Sequence, residues 1–220
     1  MSQKLPSREY LQHLDYYKQM HKNGFDLMSG NRRNSHEAYN GHSTLAFAKL
    51  IKDIIKKNQI KTMLDYGCGK GFFYENKLNI GDQNLKSLRS YWDIKIDLYD
   101  PCYEKHSQLD EKKLYDMVMS IDVLEHIPSQ DIDWVLERII SKANKYVFIN
   151  VACYSAVALL PTGNNAHITV KSPEWWNQKI LLLKKKYKNI KIICICTLKN
   201  NNKREYFPLQ YDDKISNYEK

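Results

Sequence analysis

The chain has 220 residues, of which 43% are hydrophobic and 12% aromatic, so it can bury the core of one globular domain and is not a disordered chain. No apolar run approaches the roughly 20 residues of a membrane-spanning helix. The polar N-terminus also lacks the apolar core of a signal peptide, and a cytoplasmic location is therefore expected. The net charge of +9 favours nucleic acid or another anionic partner, although lysines on solvated helix faces explain it more simply.

The cysteines do not follow the spacing of a disulfide framework or a zinc site. There are five of them, an odd number, and none forms a Cys-x-x-Cys pair. Cys194 and Cys196 lie two apart on a predicted strand, where both point to one face and pack. We therefore expect no disulfide and no metal site.

Residues 1–58 are predicted to form an N-terminal helical extension or lid. Residues 7–22 have a helical pattern rich in tyrosine, and residues 24–43 form a polar loop punctuated by glycine and asparagine. Ser43 or Thr44 is then expected to cap a helix that ends at Lys57. The remaining chain is divided into a main domain over 59–212 and a tail over 213–220.

The main domain begins with the sequence KTMLDYGCGKGFFYE, residues 61–75. A short apolar strand ends at Asp65, glycines follow at 67, 69 and 71, and the aromatic run from Phe72 is predicted to open a helix to about Asn79. A strand followed by glycines and a helix is typical of a ligand site at the carboxyl edge of a parallel sheet. Phe72 stands where a dinucleotide fingerprint needs its third glycine. A purely structural turn is the alternative.

The second predicted strand covers residues 93–99 and is followed by Asp100 and Pro101. An acidic residue at this position commonly binds ribose hydroxyls in nucleotide-binding folds, and a simple turn at the strand end is the alternative. Only fifteen residues separate Asp100 from Asp116. This spacing predicts that the third strand is missing or reduced.

The rest of the main domain alternates predicted strands and helices. Strand 115–121 leads into DVLEHIP (122–128), and a helix begins at Ser129. Strand 146–152 and a loop to 165 are followed by a helix from Ser172 to about Lys186. Strands 190–197 and 205–211 form a terminal antiparallel hairpin, in which Pro208 suits an edge position.

Several motifs together resemble the class I S-adenosylmethionine (SAM)-dependent methyltransferases, in particular a bacterial and phage-type group without an assigned acceptor. They are DYGCGKG, DVLEHIP, NVAC, NAH and PEWW. The resemblance implies SAM as cofactor and an α/β, Rossmann-like sandwich. Its sheet would be mostly parallel, with the C-terminal antiparallel hairpin and a reduced third strand.

The resemblance also implies where the cofactor binds. Asp65 would act near the amino group of SAM, Asp100 would bind the ribose, and Asp122 would face the methyl-transfer region. His126 is either an adenine-side or a structural residue, and Leu109-Asp110 is a candidate adenine contact. The full set implied for the cofactor is Asp65, Gly67, Cys68, Gly69, Gly71, Asp100, Pro101, Asp122, Val123 and His126.

Methyl transfer from a sulfonium needs alignment of the two reactants more than it needs chemistry from the protein. A hydroxyl acceptor also benefits from a general base. His167 is our candidate because it follows the loop after the strand that contains Asn150, and Asp122 is the second catalytic candidate. The alternative for His167 is a hydrogen-bonded loop histidine. Trp175 and Trp176 either wall the acceptor pocket or simply pack.

The function expected from the sequence is SAM-dependent methylation of a small molecule or glycan. A nucleic-acid methyltransferase is the first alternative, but the chain lacks the Asn/Asp-Pro-Pro-aromatic motif of amino-group methyltransferases at the DVLEHIP position. Cys102 is also misplaced for a cytosine nucleophile. The second alternative is a SAM-binding protein without transferase activity.

Overall fold

The protein is built on a central six-stranded sheet with helices on both faces. The structure is a computed structural model that describes residues 5–201 and 203–210. The helices are α1 (Arg8–Asn23), α2 (Ala48–Lys57), α3 (Leu88–Trp92), α4 (Ile132–Ser141) and α5 (Pro173–Lys186). The strands are β1 (Phe25–Asp26), β2 (Arg32–Arg33), β3 (Thr62–Tyr66), β4 (Leu78–Ile80), β5 (Gln83–Leu85), β6 (Lys95–Tyr99), β7 (Tyr115–Ile121), β8 (Ala143–Ala152), β9 (Lys191–Asn200) and β10 (Lys203–Gln210). The predicted tail 213–220 lies outside the described residues.

The order of strands in the sheet is β10-β9-β8-β7-β3-β6, and only β10 is antiparallel to its neighbour. The predicted Rossmann-like sandwich with a terminal hairpin is therefore confirmed. Between β6 and β7 the chain forms only a 3-10 turn, Glu104–His106, so the predicted loss of the third strand is also confirmed. Pro208 lies in β10, at the edge of the sheet, as expected.

Alternating side chains of β3 divide the core into two layers. Met63 packs with α2 and α3, whereas Leu64 and Tyr66 pack with α4 and α5. This follows from the two-residue period of a strand, which sends neighbouring side chains to opposite faces. The carboxyl ends of the parallel strands consequently open at one edge, where the loops that follow them meet.

The predicted crossover helix from Phe72 to Asn79 was wrong. Only a 3-10 turn forms, Phe72–Tyr74, and the β4–β5 hairpin follows it. Leu78 and Ile80 are buried, but the intervening Asn79 is exposed, which is the period of a strand and not of a helix. Gly81 supplies the positive φ that the hairpin turn requires.

The predicted cap of the helix before β3 was also wrong. Residues 42–47 form a 3-10 helix, and α2 begins after it without a side-chain cap. The Ser43 hydroxyl instead donates to Asp122 Oδ2 (2.7 Å). The Ser43 side chain thus makes a tertiary hydrogen bond to Asp122 in place of the predicted helix cap.

The N-terminal segment is packed against the main domain. The Ser7 N–H and hydroxyl both donate to the carboxylate of Asp131 at the start of α4. Tyr17 and Phe25 share an apolar cluster with Ala158 and Ala166 of the loop after β8. The two segments therefore meet beside the carboxyl ends of the strands. Among the described residues, no helix combines the length and the apolar character needed to cross a bilayer.

Candidate functional site

A cavity of about 580 Å³ lies at the carboxyl ends of β3, β6 and β7. This volume is within the range of small-molecule and cofactor sites. Eight of the ten residues predicted to contact the cofactor line it, namely Gly67, Cys68, Gly69, Asp100, Pro101, Asp122, Val123 and His126. The predicted catalytic residue His167 lines it too. The fold thus brings four loops of the main domain, those after β3, β6, β7 and β8, to one cavity.

The glycine loop is held on both sides. The Gly67 N–H donates to Tyr99 O (2.7 Å) and the Gly69 N–H donates to Asp100 Oδ2 (2.9 Å). Gly69 has a φ of +59°, and a Cβ there would lie 2.2 Å from Tyr39 O. Glycine at 69 is therefore required by both backbone conformation and space.

Two of the predicted cofactor residues do not line this cavity. Asp65 is 2% exposed and accepts a hydrogen bond from the Tyr74 hydroxyl (2.7 Å). Burial raises its pKa to about 7, although the Tyr74 bond acts in the other direction. Gly71 lines a second cavity, of about 450 Å³, together with the candidate adenine contacts Leu109 and Asp110.

The Asp100 carboxylate is positioned by backbone donors. Its Oδ1 accepts from the Cys102 N–H (2.8 Å), and His21 Nε2 of α1 lies 3.9 Å away. Within the described part of the chain, His21 Nδ1 is buried without a hydrogen-bond partner. Burial and Lys70 lower the pKa of His21 to about 4, so the ring is neutral. The unpartnered Nδ1 of this ring, whose other nitrogen faces the Asp100 carboxylate, can hydrogen-bond a polar ligand such as the nucleoside part of SAM.

Asp122 follows β7 in a strained conformation, with a φ of +60°. Such strain often accompanies a functional position. Burial acts to raise its pKa, but the hydrogen bonds from Glu125 and Ser43 lower it overall. Burial and the charge of Asp122 raise the pKa of Glu125 well above its usual range. The two carboxyl groups therefore share one proton.

Glu125 itself was not among the predicted site residues. Its side chain is completely buried, and the Ala152 N–H donates to its Oε1 (2.8 Å). Apart from the proton shared with Asp122, no hydrogen-bond donor among the described residues reaches its Oε2. The segment DVLEHIP contains Glu125 three residues after Asp122. The 3-10 turn Leu124–His126 brings the Glu125 side chain back toward Asp122.

His126 and His167 lie edge to face, with ring centroids 4.6 Å apart. His167 Nδ1 is 2.6 Å from Tyr154 O. His126 Nδ1 is 2.7 Å from the Tyr17 hydroxyl and 3.1 Å from Ala166 O. Carbonyl oxygens only accept, so Nδ1 carries the proton in both rings and Nε2 keeps its lone pair.

Both imidazoles are neutral. Burial and the neighbouring His167 lower the pKa of His126 to about 4. Burial likewise lowers the pKa of His167. The hydrogen-bonded and the catalytic interpretations of His167 are compatible, because different nitrogens serve the two roles.

The paired tryptophans support the packing alternative. Trp176 is fully buried in the core, Trp175 packs against it, and their rings are 4.8 Å apart. Neither lines the cavity. All five cysteines are free thiols.

Sequence reasoning missed the lining residues that come from distant segments. They are supplied by α1, by the segment from β2 to α2 and by the C-terminal hairpin, and include Tyr17, His21, Arg33, Tyr39, Ser43, Lys199 and Arg204. No local motif marks these positions, because each reaches the cavity only through long-range packing.

A family model described as a methyltransferase domain matches residues 39–194. The matched range contains the glycine loop, Asp100, the segment after β7 and His167. No curated protein and no solved structure matches the chain significantly.

Proposed function

Because the chain belongs to the class I SAM-dependent methyltransferase family, we propose that it transfers a methyl group from SAM to a small-molecule or glycan acceptor. The observation that carries the proposal is the gathering of the glycine loop, Asp100 and Asp122 around one cavity that His167 also lines. When bound, SAM supplies a methyl group already activated on a sulfonium. The protein then has to align the acceptor and exclude competing geometries.

The cofactor half of the cavity would be formed by the loop at Gly67–Gly69, by Asp100 and by Val123. The Asp100 carboxylate lies at the end of β6, where it can accept hydrogen bonds from ribose hydroxyls. Asp65 lies beneath this surface and contacts Tyr74. Its role would be to support the loop electrostatically and not to touch the cofactor directly.

The acceptor half would contain Asp122, His167 and Tyr154. The Tyr154 carbonyl orients His167 through Nδ1, which leaves the neutral Nε2 to take a proton from an acceptor hydroxyl. Ser43 holds Asp122 in place. A general base of this kind contributes about 10²–10⁴ in rate.

Nucleic acid is the competing acceptor, and one feature of the cavity is compatible with it. Arg33, Lys199 and Arg204 line the cavity, and none of them forms an ion pair with a carboxylate of the described chain. Unpaired cations of this kind suit a phosphate backbone. They suit an acidic small molecule or glycan equally well, and the chain lacks the motif of amino-group nucleic-acid methyltransferases.

The first test is calorimetric titration of the wild type, Asp100→Ala and Asp82→Asn with SAM and S-adenosylhomocysteine. We expect micromolar binding, at least about tenfold weaker in Asp100→Ala because a charged hydrogen bond of about 1.5–3 kcal/mol is lost. The exposed turn variant Asp82→Asn should match the wild type. No binding to the wild type would refute the proposal.

The acceptor class is then tested by S-adenosylhomocysteine formation with hydroxylated small molecules, glycans, RNA and DNA. Turnover of a small acceptor should change little with salt. Turnover that appears only with RNA or DNA and falls steeply with salt would instead establish the nucleic-acid alternative.

A further inference from the structure

Three side chains beside the acceptor half of the cavity are grouped like metal ligands. Glu125, His126 and His167 each offer one ligand atom, and these atoms all lie within 4.8 Å of one another. We propose that this cluster, with Asp122 beside it, binds a divalent transition-metal ion. Two imidazoles and a carboxylate favour ions such as Mn²⁺, Fe²⁺, Co²⁺ or Zn²⁺ over Mg²⁺.

The histidines are oriented for this role. Each ring directs Nδ1–H to a backbone carbonyl, His126 to Ala166 O and His167 to Tyr154 O. The hydrogen bond at one nitrogen fixes the tautomer and leaves the lone pair of the other for the ion. The Tyr17 hydroxyl adds a second contact to His126 Nδ1 (2.7 Å).

The carboxyl groups give an independent argument. Glu125 is completely buried, and apart from the proton that it shares with Asp122, no donor among the described residues lies against its Oε2. The negative charge that remains on this buried pair of carboxyl groups needs compensation, because buried charges are normally paired or coordinate metals. Asp122 lies against Glu125 and is fixed by the Ser43 hydroxyl. A cation would satisfy both groups at once.

The ligands come from two segments that the fold joins rigidly. The Thr169 N–H donates to Glu125 O (2.9 Å), and the Thr169 hydroxyl donates to Ile127 O (2.6 Å). The His167 N–H donates to Asn165 Oδ1 (3.0 Å). The loop that contains His167 is thereby tied to the turn that contains Glu125 and His126. Such support is what a preorganised metal site needs.

The site has a consequence for catalysis that rests on the proposed function. A cation there lies in the acceptor half of the cavity and lowers the pKa of a hydroxyl that it binds. His167 would then serve as a ligand and not as the base, and the metal-bound hydroxyl, with its pKa lowered, would release its proton to solvent before the methyl transfer. The sequence had predicted no metal site, because only the cysteine spacing was considered.

The test is titration of the metal-free protein with Co²⁺, followed by its visible absorption, and with Mn²⁺, followed by electron paramagnetic resonance. The variants are His167→Gln, Glu125→Gln and the control His42→Gln, since His42 lines the same cavity outside the cluster. Glu125→Gln keeps an oxygen to accept from Ala152 N–H. Circular dichroism and S-adenosylhomocysteine binding report on folding separately.

We expect one ion per chain in the wild type and in His42→Gln, and at least about tenfold weaker binding in each ligand variant. Failure of the wild type to bind either ion stoichiometrically would overturn the proposal, as would unchanged binding in a folded His167→Gln. Metal binding without S-adenosylhomocysteine binding would refute the methyltransferase proposal alone. The reverse result would refute the metal site alone.

Discussion

At the scale of single residues, the glycine loop depends on two positions that no other amino acid fits. Gly67 and Gly69 both have positive φ, and a Cβ at Gly67 would lie 2.4 Å from Val123 Cγ2. At Gly69 the obstacle is a backbone oxygen, Tyr39 O, which cannot rotate away. The loop is thus packed between the segment after β7 and the segment before α2.

Gly69→Ala is expected to destabilise the fold by about 1–3 kcal/mol through strain and to weaken S-adenosylhomocysteine binding further through the clash with Tyr39. Gly163→Ala is the matched control, because Gly163 also has a positive φ but has nothing within 4 Å of the added Cβ. Thermal unfolding and calorimetry measure the two effects. Equal loss of binding in both variants would show that the clash is unimportant.

At the scale of elements, the N-terminal helix completes the site. Met20 and Tyr17 of α1 pack with the loop after β8, and the Tyr17 hydroxyl donates to Ala166 O (2.9 Å) while contacting His126 Nδ1. The helix is fixed at its start by the bonds from Ser7 to Asp131. A shift of α1 would therefore change the hydrogen bond between the Tyr17 hydroxyl and His126 Nδ1.

Tyr17→Phe is expected to weaken Co²⁺ binding by about 10–100-fold, because outer contacts of this kind tune metal affinity. The unfolding free energy should fall by only about 0.5–1.5 kcal/mol, which is the contribution of one typical hydrogen bond. Tyr16→Phe, one residue away on α1, serves as the control since its hydroxyl contacts only Gln12 among the hydrogen bonds of the described chain. If Tyr17→Phe binds Co²⁺ as tightly as the control, α1 does not contribute to metal binding.

At the scale of the whole molecule, stability depends on a carboxyl group sealed under the glycine loop. Asp65 faces the Tyr74 hydroxyl, and the charge of Asp100 and the thiol of Cys68 lie near it. Its pKa is raised from 3.8 to about 7. Between these values the folded chain keeps a proton that the unfolded chain has lost, so stability falls as pH rises through this window.

Asp65→Asn removes this dependence and keeps an oxygen to accept from Tyr74. Relative to the wild type, its unfolding free energy should increase by about 2–3 kcal/mol between about pH 5 and about pH 8. Urea unfolding at both pH values gives the comparison, and the exposed Asp82→Asn should track the wild type. A difference that does not change with pH would show that Asp65 titrates normally.

Much of the fold followed from local patterns in the sequence. Strand patterns around Met63 and Val118, the short interval after Asp100 and the asparagine-rich turn before β10 predicted the parallel sheet, its reduced third strand and its terminal hairpin. The prediction of a helix after Gly71 was wrong, because the aromatic run from Phe72 was interpreted as a helix start. The alternation of buried Leu78 and Ile80 with Asn79 indicates a strand instead.

The sequence by itself determined the family and the three loops at the carboxyl edge of the sheet, because those motifs are contiguous and parallel strands bring their ends together. Only the tertiary structure decided what each residue faces. It placed Asp65 beneath the cavity, directed Ser43 to Asp122, and joined Glu125 and His126 to His167, which lies some forty positions further along the chain. Such groupings depend on how loops and helices pack around the sheet, and no local pattern in the sequence records them.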